Sequence, residues 1–311
     1  MSLVEKALKK MLSAQAAVSE RANAPAARVP ETAAEAGIAA TALPPGVSPL
    51  PLPGHRNDKI VTVNPTLLRS RGLLPQVEHE RRLTAEYRQI KRPLMAGAKG
   101  RGPSAVPNGR VIMIASALPS EGKTFTSVNL ALSMALEKDT SVLLVDGDLA
   151  KSEVTRAFEL QGEPGLMDLL SDGSMDSASV VLPTTVRGLS ILPAGRDSTT
   201  ATEHLASSRM ESVVAELLGR DPARIVLFDS PPLLLTTESR ALTAVVGQVL
   251  VVVRAEETTH KAVLDALACI SEGRSVGLVL NQCAASAEQF YYGYGEYAEY
   301  GQPAAADAER K

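Results

Sequence analysis

The chain has only two cysteines, Cys269 and Cys283, in 311 residues. They form neither a metal-binding pair nor a disulfide framework, which leaves two reduced thiols. Charge of one sign is also scarce: 32 Lys and Arg face 35 Asp and Glu, for a net charge of -3, with both signs interspersed. That balance gives no electrostatic case for nucleic acid as a partner. No apolar run approaches the ~20 residues that span a bilayer, and the longest, 249–253, is strand-sized. A signal-peptide pattern is missing too, because Glu5, Lys6, Lys9 and Lys10 place charge in the first turns. The expectation is a cytoplasmic protein whose 45% apolar content supports a sizeable core.

What is present divides the chain into four parts. Residues 1–20 hold a short amphipathic helix, with Leu3, Val4, Ala7, Leu8, Met11 and Leu12 on one face and Lys6, Lys9 and Lys10 elsewhere. Such a helix rests on a membrane or in a partner's groove, or docks on its own protein. Residues 21–75 read as a linker, Ala/Pro-rich through 58, that cannot bury enough surface to fold. Residues 76–283 form the main domain. It opens with a charged helix over 76–92, in which Leu83, Tyr87, Ile90 and Leu94 recur at helical steps and Pro93 marks the end. Residues 284–311 are a tail carrying Tyr291, Tyr292, Tyr294, Tyr297 and Tyr300, five of the six tyrosines in the chain. Glycine and alanine beside them build no core, so the tail is expected to be exposed.

From residue 110 onward the pattern alternates. Strands are expected over 111–115, 142–146, 189–192, 225–229, 248–253 and 276–281. Helices are expected over 124–137, 165–171, 203–218, 238–246 and 259–272. Near-continuous apolar strands separated by helices predict a mainly parallel sheet, flanked by helices on both faces. Ligands of such α/β folds bind beyond the C-terminal strand ends.

Three segments converge there. The stretch 115–124, Ala-Ser-Ala-Leu-Pro-Ser-Glu-Gly-Lys-Thr, lies between a buried strand and a helix. It matches the phosphate loop except that Ala117 takes the first glycine position. Ser120, Glu121, Gly122, Lys123, Thr124 and Phe125 are the expected nucleotide contacts. Within them Gly122 gives close backbone approach, Lys123 neutralises phosphate, and the Thr124 hydroxyl ligates Mg2+. Asp146 and Asp148 follow the second strand, and Asp229 ends the strand at 225–229. A single strand-end Asp usually caps a turn; three beside a phosphate loop point to Mg·ATP, with one carboxylate free to accept a proton. Asn281, at the last strand's end, is a candidate adenine contact that equally suits a turn cap. Water as the attacking group makes an ATPase, whereas a tail phenol makes a kinase; a Gly/Tyr tail also suits an interaction role.

These motifs, in this order over about 76–301, resemble the bacterial tyrosine kinases of polysaccharide export. Those are autokinases related to the MinD/ParA-like deviant Walker group of P-loop NTPases. The stretches 1–7, 85–93 and 291–294 look most like the exosortase-associated subgroup. The resemblance implies ATP and Mg2+ as cofactors, Lys123, Asp146, Asp148 and Asp229 as catalytic residues, and Thr124, Asp146 and Asp229 around the metal. It implies that Glu86 and Arg88 contact a neighbouring subunit in a ring-like homo-oligomer. Each tail would then be phosphorylated by the next subunit. It also implies three further features: an integral membrane polysaccharide co-polymerase (chain-length determinant) as partner, a protein-tyrosine phosphatase, and a peripheral place at the inner membrane. Two departures stand out. Leu118 occupies the signature-lysine position of the positioning ATPases, and Ala150, next to Lys151, replaces an arginine of the second Walker motif. An ATPase that gates a membrane partner by nucleotide-dependent assembly, and a nucleotide-binding adaptor, are the alternative readings.

Overall fold

The computed structural model describes residues 59–100, 106–196, 200–219 and 221–283. Seven strands make one sheet: β1 (Val111–Ser116), β2 (Ser141–Asp146), β3 (Leu182–Pro183), β4 (Leu189–Leu192), β5 (Arg224–Asp229), β6 (Gln248–Arg254) and β7 (Ser275–Asn281). Their order is β3-β4-β2-β5-β1-β6-β7. Every pairing is parallel except β3 with β4, at one edge. The six longer strands are those that the apolar runs predict; β3, two residues long, carries no periodic signal.

Both sheet faces are apolar, and alternation along each strand sorts the side chains between two cores. Val111, Met113, Val226, Phe228, Val249 and Val251 enter one core. Ile112, Ile114, Ile225, Leu227, Leu250 and Val252 enter the other. The first core is closed by α5 (Leu166–Ser171), α7 (Ala201–Leu205), α8 (Ser208–Leu218), α9 (Thr237–Val245) and α10 (His260–Ala268). The second is closed by α1 (Pro65–Ser70), α2 (Glu80–Ala98), α3 (Lys123–Ala135) and α4 (Glu153–Ala157). A one-turn helix, α6 (Ser177–Val180), leads into β3.

Three expectations need correction. The linker assigned to 21–75 does not extend through its last part. Asn64 caps α1 by accepting from Thr66 and Leu67 N–H, Pro65 sits in its first turn, and Leu68 is only 1% exposed. Val61 also bridges to Thr184. Composition undervalued these residues because a single well-placed leucine on a capped turn is enough to dock them. Second, Pro93 does not end its helix: α2 continues to Ala98. The turn beyond it buries Leu94, Met95 and Gly97, and the Gln248 amide donates to the Leu94 carbonyl at 2.9 Å. Packing outweighs the roughly 3 kcal/mol that an interior proline costs. Third, the helix expected over 203–218 is two helices, because Ser207 adopts extended dihedrals (φ -85, ψ 160) between α7 and α8. Residues 1–58 and 284–311, and with them the N-terminal helix and the tyrosine tail, lie outside the described residues. Among the described residues no helix is long and apolar enough to cross a membrane.

Leu68→Ala tests whether α1 belongs to the folded unit. The expected loss is about 2–4 kcal/mol in urea unfolding, as for other buried leucines. A midpoint equal to wild type would return residues 59–75 to the linker.

Candidate nucleotide site

The site lies at the C-terminal strand ends, on both sides of β1. After Ser116 the chain turns through 117–122 into α3. Gly122 forms the N-cap in a left-handed conformation (φ 94), and no side chain caps this end of α3. The first N–H groups of the helix therefore have no intrahelical acceptor, and the helix dipole adds positive potential where they point. Gly122 is required twice over: by its φ, and because a Cβ would lie 2.0 Å from Asn281 Nδ2.

Two carboxylates stand beside this helix end. Asp146 and Asp229 close β2 and β5 as register partners, and they are 0% and 1% exposed. Asp229 accepts from the Thr124 hydroxyl and from the Ser127 hydroxyl, each at 2.8 Å. Asp146 accepts through Oδ2 from the Thr155 N–H and hydroxyl, each at 2.7 Å. Its Oδ1 is buried without a partner among the described residues. Burial pushes the Asp146 carboxyl up to about 6. Burial, reinforced by the Asp146 charge, pushes Asp229 up to about 7. Burial also lowers Lys123, against the pull of Asp229, Asp148, Glu121 and Glu153 around it. Two buried carboxylates side by side make a place where a bound cation would be favoured.

The donor set fits Mg2+. It offers hard oxygens only: the Thr124 hydroxyl, two strand-end carboxylates, and one carboxylate oxygen with nothing to bind. Among the described residues no three His, Cys, Asp or Glu side chains form a self-sufficient metal cage. Mg2+ needs none, because it keeps waters and shares phosphate oxygens.

Lys123, Thr124, Asp146, Asp148 and Asp229 thus lie near one another at the strand ends. Asp148 is turned partly to local structure, accepting from the Lys151 N–H at 3.1 Å. Phe125, half-buried, packs against the second core from the first turn of the helix. Asn281 donates its amide to the Glu121 carbonyl at 2.9 Å, so it supports the loop here. Glu86 pairs with Arg82 of its own helix at 2.8 Å, and Arg88 is exposed. Tyr87 is 5% exposed, and burial raises its phenol well above the ordinary range. The motif reading missed three residues. Ser127 lies one helical turn after Lys123, so its place on the Asp229 side was legible from spacing. Thr155 and Thr258 lie in segments without any motif.

Comparison with known proteins agrees with this geometry. The AAA domain family pattern matches residues 109–275. The tyrosine-protein kinase YwqD of Bacillus subtilis is 31% identical over 187 residues, covering 58% of this chain and 77% of YwqD. The tyrosine-protein kinase ptk of Acinetobacter johnsonii is 31% identical over 151 residues, covering 49% of this chain and 20% of ptk. This chain therefore spans about a fifth of the length of that longer relative. Among solved structures, the VpsO kinase domain superposes with a TM-score of 0.52 at 30% identity, covering 64% of this chain and 99% of that one.

Asp146→Asn separates charge from fold. It removes one of two adjacent buried carboxylates, so the nucleotide-free protein should melt about 2–4 °C higher. The stabilisation that Mg·ADP gives the wild type should disappear. A variant that Mg·ADP still stabilises fully would remove Asp146 from the metal site.

Proposed function

The chain belongs to the bacterial tyrosine-protein kinase branch of the AAA domain family, and from that premise we propose that it is an ATP-dependent protein-tyrosine autokinase. The observation that carries the reading is the pair of buried, cation-hungry carboxylates held against an uncapped helix N-terminus that starts with Lys123 and Thr124.

Each residue then has a task. The loop and the first-turn N–H groups of α3 bind phosphate oxygens, and Lys123 neutralises them. Thr124 and Asp229 would hold Mg2+, with Asp146 organising it through water; bound there, the ion would supply charge that offsets the triphosphate. Ser127 fixes the Asp229 carboxylate so that its second oxygen stays available to Thr124. In the transfer, a tyrosine O–H gives its proton to Asp146, its oxygen bonds to the γ-phosphorus, and the bond from that phosphorus to ADP breaks. Thr155 orients Asp146 for this by occupying one oxygen and leaving the other.

The acceptors are Tyr291, Tyr292, Tyr294, Tyr297 and Tyr300. Tyr87, the remaining tyrosine, is locked in the core. We assign the transfer to neighbouring subunits of a ring-like homo-oligomer, with Glu86 and Arg88 of α2 at the contact. Phosphorylation adds nearly two negative charges per tyrosine, so a modified tail repels its copies and favours disassembly. A protein-tyrosine phosphatase would reset it. The setting that suits this switch is exopolysaccharide polymerisation or export. There the kinase works in the cytoplasm at the inner membrane, bound to a membrane chain-length determinant, as in the exosortase-associated subgroup that the sequence resembles.

The test is a phosphotyrosine blot after incubation with Mg·ATP. Wild type should become labelled and Lys123→Ala should not. A variant with the five tail tyrosines changed to Phe should lose the label while still binding nucleotide. Label surviving in Lys123→Ala would place the activity elsewhere. ADP release without label, even with the membrane partner's cytoplasmic segment present, would support the gating ATPase instead.

A further inference from the structure

We propose that Glu121, held by Thr258, is a positioning residue that shapes the phosphate loop for nucleotide; this rests on the nucleotide site described above. By sequence Glu121 reads as one more nucleotide contact. Its side chain is placed otherwise. Glu121 is 2% exposed, inside the loop proposed to receive phosphate. A negative charge in that place is costly unless its oxygens are committed.

Both are committed. One oxygen accepts from the Leu118 N–H at 2.7 Å, which closes the first half of the loop on itself. The other accepts from the Thr258 hydroxyl. Thr258 lies in the turn that follows β6, and the same hydroxyl oxygen accepts from the Arg254 N–H at 3.1 Å. A hydroxyl donates and accepts at once, so one side chain ties the end of β6 to the loop. Glutamate also reaches this turn where a shorter acid would stop within its own loop.

The loop is also held from the end of β7. Gln282 donates to the Ser120 carbonyl at 3.2 Å, and Asn281 to the Glu121 carbonyl at 2.9 Å. The peptides are trans. In a trans peptide the carbonyl and the following N–H point in opposite directions. Turning these two carbonyls toward β7 therefore turns the N–H groups of Glu121 and Gly122 away from it. That clears acceptors from the anion side and leaves donors there. Ser120 is held at φ 62, an unfavourable value for a residue with a Cβ. The brace supplies the contacts that keep it there, and Thr258 is the one contributor that belongs to no loop or strand-end motif.

The experiment measures Mg·ADP affinity of the full chain by calorimetry and compares Thr258→Val, Thr258→Ser, Glu121→Ala and the Glu121→Ala/Thr258→Val double variant. Thr258→Val should bind about tenfold more weakly, the worth of one lost hydrogen bond to a charged group. Thr258→Ser, which keeps the hydroxyl, should stay within about twofold of wild type. The double variant should be no weaker than the weaker single, because both remove one contact. Wild-type affinity in Thr258→Val, equal loss in Thr258→Ser, or additive losses in the double variant would overturn the brace. Phosphotyrosine is scored on the same samples. Wild type that binds Mg·ADP but forms no phosphotyrosine would sink the kinase reading and leave the affinity comparison standing.

Discussion

The structure depends on the burial of two like charges side by side. Asp146 and Asp229 end neighbouring strands in register, and neither is open to solvent. Burial raises each above the ordinary carboxylate range, with the Asp148 charge adding to it at Asp146 and the Asp146 charge adding to it at Asp229. The fold tolerates them because four donors, on Thr124, Ser127 and Thr155, are aimed at three of their four oxygens. The fourth, Asp146 Oδ1, is buried without a partner among the described residues. A site built in this way stores the cost of its function in the folded state and needs little reorganisation when a cation arrives.

Such a cost calls for a rigid frame, and the doubly covered sheet provides it. Val145 and Phe228, the residues just before the acids, are fully buried in the first core, so the strand ends cannot splay. The phosphate loop has no regular structure of its own. Its shape is borrowed from β6 through Thr258 and from β7 through Asn281 and Gln282. The central β1 delivers the loop, and strands on either side fix the acids and the brace. This is the arrangement expected where a parallel sheet reverses its winding order.

How far the sequence carries depends on which force decides each element. Six strands were legible because burial on both faces leaves an apolar run that no helix of that length would need. Lys123, Thr124 and the three aspartates were legible because their backbone context, strand then loop then helix, is local. The continuation of α2 past Pro93 was not legible. A contact 154 residues away, from Gln248, outweighs the local penalty. The docking of 59–75 was hidden for a similar reason: Leu68 belongs to a core that includes residues far along the chain, such as Ala157 and Phe158. Glu121 was read as a nucleotide contact because a motif reports position in a loop and says nothing of where a side chain turns. Thr155 and Thr258 carry no motif, and only the folded arrangement brings their hydroxyls to the acids they serve.

The route of the acceptor to the site follows from the same frame. Asn281 and Gln282 anchor the last strand to the loop, so the tail departs from the edge of the nucleotide site. Tyr291 and Tyr300 lie 9 and 18 residues beyond Gln282. At about 3.3 Å per residue, an extended chain reaches roughly 30 to 60 Å. That span covers a subunit's own site and a neighbour's alike, so tail length does not select between them. In the proposed reaction the selection falls to assembly. A neighbouring site held at fixed distance offers a high effective concentration to a tethered acceptor, and that advantage vanishes when the subunits part. On that proposal the control point is the helix carrying Glu86 and Arg88. The proposed reaction asks only that the tyrosines be numerous, because their modification would act back on the assembly that brought them in.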